Sequence, residues 1–249
     1  MGAAIGQALP LAVGVALSPV PIIAVVLMLM SQRARLNGPG FVLGWLAGLA
    51  VLGAIVLAIA GPADASDHGK PATWVSVLKL VLGLLLVLLA VRQWRGRPRP
   101  GQEVEAPKWM GSIERFNPGK AVGAGAVLSG LNPKNTLLAV GAAAGIAQTG
   151  IGGSGQAIAY AVFAIVATLG VAAPVVMYFT LGDRSRQILT DLRDWMGQHN
   201  AVIMAVLCLV IGAKLIGDAI SGFSMLTGRS GGGGQPGNHR PRLRNVWPL

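Results

Sequence analysis

The chain has 249 residues, of which 53% are hydrophobic and 12% charged, with a net charge of +11 and a mean hydropathy of +0.62. Soluble domains carry about 25% charged residues, so this composition excludes an ordinary soluble protein and a disordered chain; a single cysteine, Cys208, excludes a disulfide scaffold. A soluble nucleic-acid binder would share the charge but not the apolarity, so no nucleic-acid partner is expected; the numbers fit an all-α polytopic membrane protein with positive charge in its loops.

In chain order, Met1–Gln32 lacks any charged residue and contains a first span at about 5–30. It has no basic leading region and no clean small-residue cleavage site, so it reads as a span and not as a signal peptide. Leu36–Ala63 is also free of charge and gives a second span at 40–60. There Gly44, Gly48 and Gly53 permit close helix packing, within one chain or in a homodimer. A third span at 73–91 contains Lys79 near its start, expected to snorkel to the outer interface.

Asn135–Gly182 has no charge over 48 residues. As one helix it would be roughly 70 Å long against about 30 Å of hydrocarbon. It must turn, and Gly150–Gly155 is the place, which gives spans at 121–148 and 156–180. Before the sixth span, at 200–223, Ile188, Leu189, Leu192, Trp195 and Met196 recur at helical spacing opposite Asp191, Arg193 and Asp194. That pattern predicts a short helix lying in the interface. The glycine-rich tail, 228–249, cannot form a packed core and is expected to be disordered.

The chain thus divides into a first three-span repeat (1–91), a basic loop (92–120), a second three-span repeat (121–227) and the tail. Lys and Arg number twelve in loops 31–39, 92–120 and 183–199, against five on the opposite side. The excess places those loops in the cytoplasm and both termini outside. The polybasic run from Arg92 to Pro100 serves first as a topology signal, with attraction to anionic lipid as the alternative.

Three spans per half would insert a duplicated half upside down, and two matches support duplication. Leu17-Ser18-Pro19-Val20-Pro21 resembles Leu131-Asn132-Pro133-Lys134-Asn135, and Leu78–Gly83 resembles Leu207–Gly212. Proline removes an amide donor and frees carbonyls, which are tolerated in a membrane only against protein or a water-filled cavity. Broken helices at equivalent places in inverted repeats point to a transporter's central site. Prolines also simply kink packed helices; the paired motifs with flanking hydrogen-bonding side chains favour a site. Its residues would be Ser18, Pro19, Pro21, Asn132, Pro133, Lys134 and Asn135, with Lys134 attracting an anionic group.

Charges inside apolar spans cost about 2.5–3.5 kcal/mol on insertion scales, so Lys214 and Asp218 also need a reason. Four residues apart on one helix, they suit an ion pair. A proton site at Asp218 is the alternative, weakened by its place near the end of the span. No Walker A sequence and no metal-ligand spacing occur, and neither enzyme activity, metal nor cofactor is expected.

These features, above all Ser18-Pro19-Val20-Pro21 and Leu131–Asn135 with a long basic middle loop, resemble the GAP family of the lysine exporter (LysE) superfamily. That group comprises mycobacterial glycopeptidolipid- and sulfolipid-addressing proteins, and the resemblance covers about residues 5–225. It implies an inner-membrane protein that helps move envelope glycolipid, or a related small anionic or polar solute, toward the cell surface. Its partners would be membrane lipids, the cargo and lipid-synthesis or export machinery. Amino-acid or small-solute export, as in other members of the superfamily, and a non-transporting scaffold acting through the basic loop are the alternatives. The thiol-disulfide transporters of the superfamily need a cysteine pair, which Cys208 alone cannot supply. Fourteen arginines against six lysines fit a GC-rich actinobacterium.

Overall fold

The computed structural model describes residues 1–64, 73–97, 110–113 and 116–227. The described residues are helical, with no strand among them. The expected tail, Lys70, Arg99, Lys108 and Arg115 lie outside them.

Two pairs of short helices meet at the centre, where the second helix of each pair is mostly buried. Helix α1 (Gly2–Ala16) stops at Leu17 and α2 (Pro19–Leu29) starts at once in a direction bent by 52°. Helix α6 (Pro118–Gly130) likewise gives way to α7 (Pro133–Ala147) across two residues. In both places proline opens the second helix, where its missing amide is harmless and its fixed φ already helical. Pro10 in α1 and Pro174 in α8 lie inside helices that continue through them. Every residue of α2 except Val20 is buried, as a helix apolar on all sides requires.

Around this centre run α3 (Ala34–Asp64), α4 (Thr73–Arg95), α8 (Gly153–Leu181) and α9 (Arg184–Thr227). Their outer faces carry exposed Leu43, Ile55, Leu88, Ile165 and Val210, a surface suited to lipid tails. A short turn of helix, α5 (Met110–Ile113), packs against α2. The turn between α7 and α8 falls where the glycines predict it, with Gly150 at φ 68°.

The protein is a multi-pass membrane protein. Among the described residues four single helices are long and apolar enough to cross a bilayer, and the bent α1–α2 pair passes the same test only when its two helices are taken together. The expected fourth span, 121–148, is represented by α6 and α7, of 13 and 15 residues, each too short to cross alone. The predicted separate interfacial helix is corrected: α9 runs unbroken for 44 residues. At about 1.5 Å per residue it spans roughly 66 Å and projects beyond any bilayer core. No proline interrupts it, and its first half is seated by buried Leu189 and Met196 rather than laid flat.

The main helix pairings are α4 with α9, α3 with α6, and α1 with α8 and α7. Glycines set the closest approaches. A Cβ on Gly44 of α3 would collide with the Val122 carbonyl oxygen of α6, and one on Gly125 of α6 with that of Phe41. A Cβ on Gly170 of α8 would strike the Ala16 carbonyl at the end of α1. Glycine to alanine in a helix ordinarily stabilises by about 0.5–1 kcal/mol. At Gly44 the sign should reverse, with Gly44→Ala losing about 1–3 kcal/mol through overpacking. Gly123→Ala, with no atom within 4 Å of the added carbon, should show the ordinary gain. Reversible unfolding in mixed detergent and SDS micelles checks both.

Candidate functional site at the crossed helix breaks

At the end of α1 the helical hydrogen-bond pattern tightens: Leu17 N–H reaches Val13 O, but Ser18 N–H donates to Val15 O at 3.2 Å. The Gly14 carbonyl is thereby deprived of its helical partner. Lys134 Nζ, from the start of α7, donates to that oxygen at 2.7 Å. Lys134 is 2% exposed, and no carboxylate among the described residues pairs with it. Gly14 admits this approach in a crowded place, because a Cβ there would run into Ile211 of α9.

The second break is closed in a related way. Asn132 caps α7 by accepting from Lys134 N–H at 3.2 Å. Thr136 Oγ1 sits between the Gly130 and Asn132 carbonyl oxygens, at 2.7 and 2.9 Å. Asn135 Nδ2 donates to Leu128 O of α6 at 3.1 Å, while its Oδ1 accepts from Ser18 Oγ at 2.7 Å. Ser18 and Asn135 are both buried. One side-chain chain therefore links the two breaks across 117 residues of sequence.

The structure thus brings Ser18, Asn132, Lys134 and Asn135 together, with Pro19, Pro21 and Pro133 at the starts of α2 and α7. Pro19 and Pro21 are buried, and Pro133 lies on the exposed side of its helix. Lys214 and Asp218 form a separate site. Their ion pair is 2.6 Å long, and both side chains are about one-third exposed, at 31% and 34%.

Sequence reasoning missed what surrounds that pair. Lys79, expected to reach outward, is buried instead and donates to Gln148 Oε1 at the end of α7. A snorkelling lysine ends in bulk water; here the residue is 5% exposed, at the wall of a cavity, and an amide meets its charge. With Gln7 of α1, these groups line a cavity of about 530 Å³. Gln7 and Gln148 carry no spacing signal, because their relation to Lys79 is purely tertiary. Asn37, also unremarked in the sequence, is fully buried and donates to Ser31 Oγ and Phe116 O, tying the turn before α3 to the approach to α6.

The expected basic run is described as far as Arg97, whose guanidinium lies 4.0 Å over the Trp94 ring and donates to the Trp94 carbonyl. It folds back on the end of α4.

Residues 8–221 match the family of Sap, the sulfolipid-1-addressing protein (SfLAP). The chain belongs to the SfLAP family. The match takes in both helix breaks and the Lys214–Asp218 pair, and it fits a membrane protein that assists glycolipid transport. No curated protein and no solved structure matches the chain.

In this SfLAP protein the Ser18–Asn135 bond should be energetically coupled across the two halves. Ser18→Ala and Asn135→Leu should each destabilise, and the double variant should lose less than their sum by roughly 0.5–3 kcal/mol. A double-mutant cycle of unfolding in mixed micelles measures it. Strict additivity would mean that the two breaks are held independently.

Proposed function

We propose that the protein is an inner-membrane transporter, or a transport-assisting protein, for export of envelope glycolipid or a related small anionic or polar solute. It works by binding and conformational change, without covalent chemistry. The observation that carries this reading is the pair of proline breaks joined through Lys134, a buried cation whose bonded partner is a backbone carbonyl. An anionic group is a stronger partner for an ammonium than a neutral carbonyl is. A cargo carboxylate, sulfate or phosphate would draw Lys134 away from Gly14, while Ser18, Asn132 and Asn135 supply hydrogen bonds to its neighbours. Releasing that bond frees the hinge between α1 and α2, so cargo binding and helix movement become one event.

Six spans in two inverted repeats are part of the proposal. Gly83 and Gly212, equivalent in the repeated segments, approach each other reciprocally: a Cβ on either would lie 2.9 or 3.0 Å from the other's carbonyl oxygen. Equivalent residues in mutual contact are what a two-fold axis between α4 and α9 produces. Exchanging the halves also maps the α1–α8 pairing onto α6–α3. The orientation follows the basic loops, with 31–39, 92–120 and 183–199 cytoplasmic, the termini outside and the Lys79 cavity opening away from the cytoplasm.

In a deletion strain complemented with variants, Lys134→Gln and Ser18→Ala should reach the membrane at normal levels. Lys134→Gln should lower surface glycolipid at least about tenfold, the scale of a lost hydrogen bond to a charged group. Replacing Arg95, Arg97 and Arg99 together by Ala should leave export nearly unchanged. The reverse pattern, with motif variants active and loop variants inactive, would establish a scaffold in place of a transporter. Solute efflux from reconstituted vesicles decides between glycolipid and small-solute cargo.

A further inference from the structure

The cavity of about 530 Å³ between the first turns of α1, the start of α4, the end of α7 and the last turns of α9 lies apart from the crossed breaks. About two turns of α1 separate Gln7, at the cavity, from Gly14, at the break. Its volume is that of an ordinary small-molecule site, commonly 300–1,000 Å³. Its wall carries two ammonium groups, Lys79 and Lys214, and one carboxylate, Asp218, leaving a net positive charge. It also carries two amides, Gln7 and Gln148, and the Ser221 hydroxyl.

Each ammonium there has one side-chain partner and further N–H donors to offer, while one acceptor has no partner. Lys79 bonds Gln148, and Lys214 bonds Asp218. Gln7 Oε1 is a buried acceptor with no hydrogen-bond partner, beside Gly145, where a Cβ would sit 3.1 Å from that oxygen. A buried acceptor left without a donor costs about 1–3 kcal/mol. Turning the Gln7 amide, whose residue lines the cavity, would bring that oxygen to a bound hydroxyl and remove the cost. Two lysines with one carboxylate favour an anionic ligand, and the unpaired amide oxygen with the second carboxylate oxygen favours one that also donates hydrogen bonds.

We propose that this cavity binds a polyol head group bearing one oxyanion, with Lys79 and Lys214 on the oxyanion and Gln7 and Asp218 on the hydroxyls. The inference deepens the export reading by giving the cargo, or a lipid that accompanies it, a second station on the side of the termini. Binding is read on purified protein, so its failure is distinct from failure of the export test.

The test uses the full chain in detergent micelles, titrated with glucose 6-phosphate, inorganic phosphate and glucose, and in lipid nanodiscs with or without phosphatidylinositol. Glucose 6-phosphate should bind better than either of its parts. Lys214→Gln should weaken it about 10- to 100-fold, the range of a charge-assisted hydrogen bond. Asp218→Asn should tighten inorganic phosphate, by removing the repelling charge, and shrink the advantage of glucose 6-phosphate over it. A cavity serving only to hold the helices together would give no such opposite response. Because Lys79 is buried and Lys79→Gln could unfold the chain, the partly exposed Lys214 carries the comparison. Binding of phosphatidylinositol that depends on Lys214, with or without the free sugar phosphate, assigns the site to a lipid head group; binding of the sugar phosphate alone assigns it to a solute. Inorganic phosphate binding as tightly as glucose 6-phosphate, or no binding in any arm, overturns the proposal.

Discussion

A proline at the first position of α2 and of α7 leaves the helix before it with carbonyl oxygens that no backbone amide can reach. In apolar surroundings each unpaired carbonyl costs several kcal/mol, so a donor must be brought to it. Water would do at a surface. In the buried centre of this chain the donors are side chains: Lys134 for Gly14, Asn135 for Leu128 and Thr136 for Gly130. All three residues sit in α7; Asn135 and Thr136 close the break directly behind them, and Lys134 reaches across to the other half. The two breaks must therefore lie side by side, with α1 against α7.

That placement governs the outer helices. With α2 and α7 occupying the middle, α3 closes on α6 and α8 on α1, each from the opposite half of the sequence. Lipid tails are as apolar as leucine, so burial supplies little force for bringing these helices together, and close van der Waals contact must supply it. The glycines at 44, 125 and 170 supply that contact by letting backbone meet backbone. Tyr160 adds a directed bond, its hydroxyl donating to Leu49 O across the α3–α8 boundary at 3.0 Å. Bulky residues are left to the outer surface, where their role is to match the bilayer rather than to specify a neighbour.

Local chemistry was legible in the sequence wherever one residue determines the event. Ser18-Pro19 and Asn132-Pro133 announce helix breaks, Asn132 also supplies the cap, and Gly150 marks the turn between two long apolar runs. The four-residue spacing of Lys214 and Asp218 sets their contact within one helix. Tertiary relations were not legible. Lys79 looks like a snorkelling lysine until the fold buries it beside Gln148, and Gln7 and Gln148 are unremarkable until α1 and α7 bring them to the same space. The amphipathic stretch at 184–199 suggested a separate helix because its pattern differs from the apolar run after it, yet it holds no proline and α9 continues through its one glycine, Gly197. Pattern change and chain break are different signals, and only proline or glycine supplies the second.

The distribution of positive charge has the same logic. Most basic residues lie outside the apolar stretches of the sequence, where they cost little. Three lysines lie within apolar stretches, and each has a different partner: an amide for Lys79, a carboxylate for Lys214 and a backbone carbonyl for Lys134. An apolar setting penalises an ammonium by about 2.5–3.5 kcal/mol on insertion scales, and a hydrogen bond to a charged group returns about 1.5–3 kcal/mol. For Lys134 the two terms nearly cancel. A methionine there would avoid the penalty but leave Gly14 unpaired, so the lysine is favoured by the break itself and the break is closed by the lysine. A pair of groups so nearly balanced would yield to a better anionic partner, which is what the proposed export role asks of Lys134.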